Sequence, residues 1–181
     1  MYANPLAQGI LRDVTPARVS EYRLRRRVQF HEADPAGIVH FSWFFRYMEE
    51  AEHALWRDAG LSIAPPGAEI GFPRVSAAFE YHLPLRFEEE FDVTIRVAAV
   101  THKTIRYACL VTRGEAHIAT GTLTAVCVRK GPKGSMKAVA IPADIASRFE
   151  VAEQKFKIQE SKFKSRRGKS QSQRARVKVK G

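Results

Sequence analysis

The chain has 181 residues, of which 45% are hydrophobic and 27% charged, and its formal net charge is +11. That is one domain's worth of polypeptide with enough apolar content for a core, and no run approaches the roughly 18 uninterrupted apolar residues of a membrane span. The charge is uneven: residues 150–181 hold 11 Lys/Arg against 3 Glu and leave only +3 for the rest, so the basicity belongs to a C-terminal tail.

Residues 1–19 carry Asn4, Pro5, Gly9 and Pro16 with no sustained period and no basic n-region, so they read as a flexible leader and not as a signal peptide. From 21 to 30 the residues Tyr22, Leu24, Val28 and Phe30 alternate with polar neighbours, the spacing of a strand. The run Arg25-Arg26-Arg27 within it reads as a solvated strand face. Next comes Asp34-Pro35-Ala36-Gly37, with the residue preferences of a type I turn, and Pro35 biases Asp34 to an extended backbone that ends the strand. Ser42 is the expected N-cap of a helix over 41–59. In that helix Phe41, Phe44, Phe45, Met48, Ala51, Leu55 and Ala59 follow helical spacing, and Gly60 is its natural stop.

After the Pro65-Pro66-Gly67 loop, strands are predicted over 72–82, 91–100, 104–112 and 116–129. Short connections between them imply an antiparallel meander. A polar loop over 130–137 leads to a short helix near 143–149. One strand, one long helix and four strands make an α+β domain over 20–149, a curved antiparallel sheet wrapped round its helix. The tail, 150–181, is rich in Lys, Arg, Ser and Gln and reads as disordered. It can attract RNA or an anionic membrane electrostatically, or serve only as a solubilising appendage.

Chemistry concentrates at the Asp34 turn, which sets a carboxylate close to the positive end of a helix. On its own an Asp there is more often a turn cap. Glu49, Glu50 and Glu52 on the helix are competing acids that read individually as ion-pair or solvated-face residues. Glu49 and His53, four apart, read as an ion pair in preference to a metal site. Cys109 and Cys127 have neither CxxC spacing nor a His cluster, which points to buried free thiols in a reducing cytoplasm. They have no paired base in sequence, so thiol catalysis ranks last.

Asp34-Pro35-Ala36-Gly37-Ile38-Val39, followed by Phe44-Phe45-Arg46-Tyr47-Met48-Glu49-Glu50-Ala51, resembles the 4-hydroxybenzoyl-CoA thioesterase family of hotdog-fold acyl-CoA thioesterases. Gly71-Phe72-Pro73, Tyr81-x-x-Pro84, Glu89-Glu90 and Ile141-Pro142 extend the resemblance over roughly 21–149. It implies a long helix held in a curved sheet, and hydrolysis of a CoA thioester with Asp34 as nucleophile or general base and the Phe41 amide as oxyanion donor. It further implies substrate contacts from Lys103, Thr104, Lys137, His40 and Gly71, no metal and no cofactor beyond the CoA of the substrate, and a cytoplasmic homodimer or homotetramer.

The chain departs from its relatives in having Glu32 where an Asp often stands, Phe41 where one subgroup has His, and Thr101 and His102 where arginines contact the nucleotide. Asp34 and His40 are six apart and lack the Asn of hotdog hydratases, which weighs against that reading. The remaining alternative is a non-catalytic acyl-binding or RNA-associated protein acting through its tail.

Overall fold

The computed structural model describes residues 18–153 and Phe156; the leader over 1–17 and the tail beyond 156 lie outside them. Eight strands and two helices follow in chain order: β1 (Glu21–Arg27), α1 (Trp43–Asp58), β2 (Ile70–Gly71), β3 (Arg74–Tyr81), β4 (Glu90–Val100), β5 (Thr104–Arg113), β6 (Ala116–Val126), β7 (Val128–Lys130), β8 (Met136–Ala138) and α2 (Ala143–Ala146). Five strands form one antiparallel sheet in the order β1-β4-β5-β6-β3, and β2-β7-β8 form a second, smaller sheet. This is an α+β hotdog arrangement: one long helix lies against a curved antiparallel sheet.

The core follows from two periods meeting. Along α1, Phe44, Met48, Ala51 and Leu55 are buried and fall on one helical face. Along β4 and β5, Val93, Ile95, Val97, Ile105, Tyr107, Cys109 and Val111 are buried at alternate positions, so one face of the sheet meets the helix. Trp56 donates to the Tyr107 hydroxyl at 2.9 Å, satisfying the indole in the middle of that layer. Gly60, at φ 73°, ends the helix in the left-handed conformation that favours glycine.

Several expectations are corrected. β1 stops at Arg27, because Glu32 N donates to Gln29 O at 3.1 Å and Gln29 N donates to the Glu32 carboxylate at 2.8 Å, which winds Phe30–Glu32 into one 3-10 turn. Asp34 therefore does not end the first strand. Ser42 precedes α1 but does not cap it; its hydroxyl bonds His40 Nδ1 at 2.8 Å. Phe41 lies before the helix and is 59% exposed, off the core-facing stripe.

The meander holds only for β4-β5-β6. β3 pairs with β6, not with its successor β4, and becomes a sheet edge. The segment between β3 and β4 crosses the end of the sheet, burying Leu85 beneath the loop before α1, where its carbonyl accepts from Val39 N at 2.8 Å. The long strand expected over 116–129 breaks at Cys127, and its last part joins β2 and β8.

Candidate active site

Asp34 stands on a small hairpin. Ala33 and Val39 form an antiparallel bridge. Within it Asp34 N donates to Ile38 O at 2.9 Å, and Gly37 N donates to Asp34 O at 2.9 Å. Gly37 sits at φ 72°, the glycine position of a three-residue hairpin with a bulge. The four-residue turn expected from the sequence is thus closed by its i→i+3 bond. The half-buried Asp34 carboxylate accepts from Ala36 N at 2.8 Å through Oδ1.

What holds the hairpin is a carboxylate not assigned a role from the sequence. Glu32 is 0% exposed and accepts three bonds: from Arg26 at 2.9 Å, from the Tyr47 hydroxyl at 2.8 Å and from Gln29 N at 2.8 Å. Its own carbonyl accepts from His40 N at 2.9 Å, joining the two arms beyond the turn. Arg26 is the middle residue of the basic run and turns inward, lying 4.6 Å over the Tyr47 ring and pairing also with Glu50. Arg25 and Arg27 stay outward with Asp92 and Glu90. Burial, followed by the bond to Glu32, raises the Tyr47 pKa, so the phenol stays protonated and donates.

The hairpin delivers the chain to the start of α1. Trp43, Phe44 and Phe45 amides are used by the carbonyls of His40, Phe41 and Ser42 at 3.0, 3.3 and 3.2 Å. Among the described residues the Phe41 amide has no acceptor. A helix start with a spare N–H attracts developing negative charge. Tyr81 fixes this peptide from the other side, donating to Phe41 O at 3.2 Å. The exposed His40 ring packs on Phe41 and bonds Ser42; among the described residues no hydrogen bond joins it to Asp34. Around this end lie the exposed Phe30, Phe87, Tyr81 and Leu83 together with Phe41, while Trp43 and Phe45 are half-buried.

Lys103, Thr104, Lys137 and Gly71 come together elsewhere. Thr101 Oγ1 accepts from Lys103 N at 3.3 Å and from Thr104 N at 3.0 Å, and meets the Thr104 hydroxyl at 2.7 Å. Lys103 O accepts from Cys127 N, and Cys127 O accepts from Val139 N, which brings the exposed β8 residue Lys137 to the same end. Gly71 pairs with Val128 there, and a Cβ on it would meet Lys130 Cε at 3.3 Å.

This basic end follows the last residue of β4, whereas the Asp34 hairpin packs against the loop before its first. For 11 residues that is a separation of roughly 35 Å along the strand. One chain does not bring the two groups together.

The helix acids divide. Glu49 and His53 do not pair as expected; both converge on Arg74, at 3.6 and 3.1 Å. Glu52 is 0% exposed and pairs with Arg74 through Oε2, while among the described residues its Oε1 has no partner. Burial outweighs Arg74 and pushes its pKa up to about 7. The same burial, then Arg74, lowers that of His53, so its ring accepts from the guanidinium. Among the described residues no cluster of His, Cys, Asp or Glu has the make-up of a metal site. Both cysteines are buried and free, and burial pushes the Cys109 thiol up to about 12, which disfavours the nucleophilic thiolate.

Residues 28–149 match the model of the thioesterase-like superfamily. The chain belongs to that superfamily. A protein of Aquifex aeolicus (strain VF5) named "Putative esterase" is 32% identical over 124 residues, covering 67% of this chain and 91% of its own. The crystal structure of a hypothetical protein from Aquifex aeolicus is 28% identical, with a TM-score of 0.66 over 71% of this chain and 99% of that one. A variant of 4-hydroxybenzoyl CoA thioesterase complexed with 4-hydroxybenzoyl CoA is 19% identical, with a TM-score of 0.65 over 73% of this chain and 100% of that one. At that identity the likeness is one of fold. Asp34, Phe41, His40, Gly71, Lys103, Thr104 and Lys137 all fall inside the matched span.

Proposed function

We propose that this protein hydrolyses acyl-CoA thioesters. The observation that carries the reading is the Asp34 hairpin: it holds a half-buried carboxylate and runs directly into the helix start whose Phe41 amide has no acceptor among the described residues. A thioester carbonyl set between them meets a nucleophile or base on one side and a hydrogen-bond donor on the other.

Either route balances with water alone. Asp34 attacks the carbonyl carbon, the C–S bond breaks to release CoA thiolate, and water then cleaves the acyl–Asp34 anhydride. Alternatively Asp34 takes a proton from water as that water attacks. In both, the carbonyl oxygen becomes an oxyanion facing the Phe41 N–H, a donor of the kind worth about 3 kcal/mol in a water-poor site. His40 borders this end. The match of residues 28–149 to the thioesterase-like superfamily supports the reaction class.

The nucleotide end of the substrate assigns Lys103, Thr104 and Lys137, with Gly71 beside them, to a neighbouring subunit, since in one chain they lie at the opposite end of the sheet. The route to that subunit is the β3 edge. Its backbone has no strand partner on the outer side among the described residues, and Val75 and Tyr81 along it and Leu83 just past it are exposed. An antiparallel β3–β3 pairing would cover them in a homodimer, which can pair again into a tetramer. No described helix is long and apolar enough to cross a membrane; a cytoplasmic setting fits the two free thiols.

The test is release of free thiol from a panel of aryl and aliphatic acyl-CoAs by the wild type and by Asp34→Ala. Turnover by the wild type with loss in the variant is expected. Inactivity of the wild type on every thioester, with tight RNA binding by the full chain at moderate salt, would favour the binding-protein alternative.

A further inference from the structure

The superfamily match ends at Phe149, yet this chain continues for 32 residues. The first of them stay on the domain. Glu150 N donates to Val19 O at 3.0 Å, and Ala152 N donates to Val97 O at 2.9 Å. The chain is thereby tied to the rim of the sheet just past β1. Phe156 then lies with its ring 4.2 Å from the Arg96 guanidinium carbon, a stacking geometry that holds an aromatic side chain in place.

Val151, Ala152 and Phe156 form one wall of a groove of about 570 Å³. Its floor is the sheet face turned away from α1. On β5, Tyr107 and Cys109 are buried in the core and Ala108 points the other way. Ala108 pairs with Thr122 of β6, and Thr122 with Ala78 of β3. The groove therefore crosses from β4 to β3 over the small side chains of Ala108, Thr122 and Ala78, which leave room for large ones from above, with Arg96 and Glu80 also in its lining. Among the described residues no helix or strand covers this face, although a sheet with an apolar floor is normally closed by a second layer.

The sequence after Phe156 divides in two. Residues 157–163, KIQESKF, carry the large apolar Ile158 and Phe163; residues 164–181 carry eight Lys/Arg, no acid, and only Val177 and Val179 as apolar side chains larger than alanine. Three inter-strand steps separate β4 from β3, roughly 14 Å. Seven residues reach up to about 23 Å when extended, so 157–163 can cross the groove and the basic run cannot be needed to do it.

We propose that residues 157–163 continue from Phe156 across this groove, seating Ile158 and Phe163 over Ala108, Thr122 and Ala78. The segment after Phe156 is then an outer layer on the sheet. Lys162 comes at the β3 side, where Glu80 lines the groove. A second copy's sheet is the poorer occupant, because flat sheets stack about 10 Å apart and Val151, Ala152 and Phe156 already stand on one side of the face. Self-association is thus directed to the β3 edge.

The experiment is disulfide trapping in the full-length chain. Thr122→Cys is combined in turn with Ile158→Cys and Phe163→Cys, and with Gly181→Cys as the control. Mild oxidation is expected to form an intramolecular disulfide at 158 or 163 and not at 181. Disulfides that link two chains, or none at either position, would overturn the proposal. A second variant avoids introduced thiols: Ile158→Glu/Phe163→Glu should raise binding of an apolar dye several-fold with the circular dichroism and thioester turnover unchanged. Unaltered dye binding would also overturn it.

Discussion

The two ends of the five-stranded sheet are built on opposite plans. At the Asp34 end a buried carboxylate, Glu32, draws donors from β1, α1 and the intervening loop, and the hairpin above it is pinned on both arms. At the Lys103 end the elements are two- and three-residue strands, and the basic side chains stand in solvent. The first plan gives a fixed geometry, which bond-making chemistry needs. The second gives solvent-exposed positive charge, which is what attracting a phosphate would need.

The sharpest way to separate the two ends is to remove chemistry from one and charge from the other. Asp34→Asn should lower kcat by about 10³-fold in a thiol-release assay, the order of a lost acid–base or nucleophilic group. It should leave the unfolding midpoint near the wild-type value. Mixing Asp34→Ala chains with Lys103→Ala/Lys137→Ala chains should lower the KM of the lysine variant toward the wild-type value; an unchanged KM would argue against sites shared between subunits.

Glu32→Ala comes next and acts on stability. It leaves Arg26 and Tyr47 facing an emptied, buried position, and the expected loss is about 3–5 kcal/mol by urea denaturation. A cost under about 1 kcal/mol would show that the Asp34 end is not held in this way.

Glu52 offers a contrast between a buried carboxylate with three donors and one with an unpartnered oxygen. Its ordinary pKa of 4.5 rises to about 7 in the fold. The folded state therefore prefers the protonated acid. Its favourable contribution is fully present below about 4.5 and is lost as pH rises through about 7. Glu52→Gln should flatten the pH dependence of the unfolding free energy between 5 and 8, by about 2–3 kcal/mol across that window. An unchanged slope would reject the assignment.

The smallest effect belongs to the basic end. Lys103→Ala and Lys137→Ala should each raise KM a few-fold with kcat nearly unchanged, and the difference should shrink as salt rises.

Some parts of this structure are legible in the residues and others are not, for physical reasons. Asp34, Pro35 and Gly37 encode their turn through local backbone preferences, so the hairpin was legible. Helical spacing placed α1 to within two residues at its start. The pairing of β3 with β6 was not legible, because alternation says that a strand has two faces and nothing about its neighbour. The second sheet was missed because strands of two and three residues have no period. Glu32 and Arg26 look like any charged residues in a polar stretch, and only the packing of Tyr47 against them takes both out of water.

By itself, then, the sequence determined what depends on neighbours along the chain: the turn that carries Asp34, the helix that follows it, the alternating strands and the membership of a thioesterase family. Tertiary structure decided what depends on residues far apart. It made Glu32 the anchor of the site and left the Phe41 amide without an acceptor among the described residues. It also set Lys103 and Lys137 a strand's length from Asp34. Each of these is a matter of which groups lose water and which find partners, and that is settled only when the sheet closes on the helix.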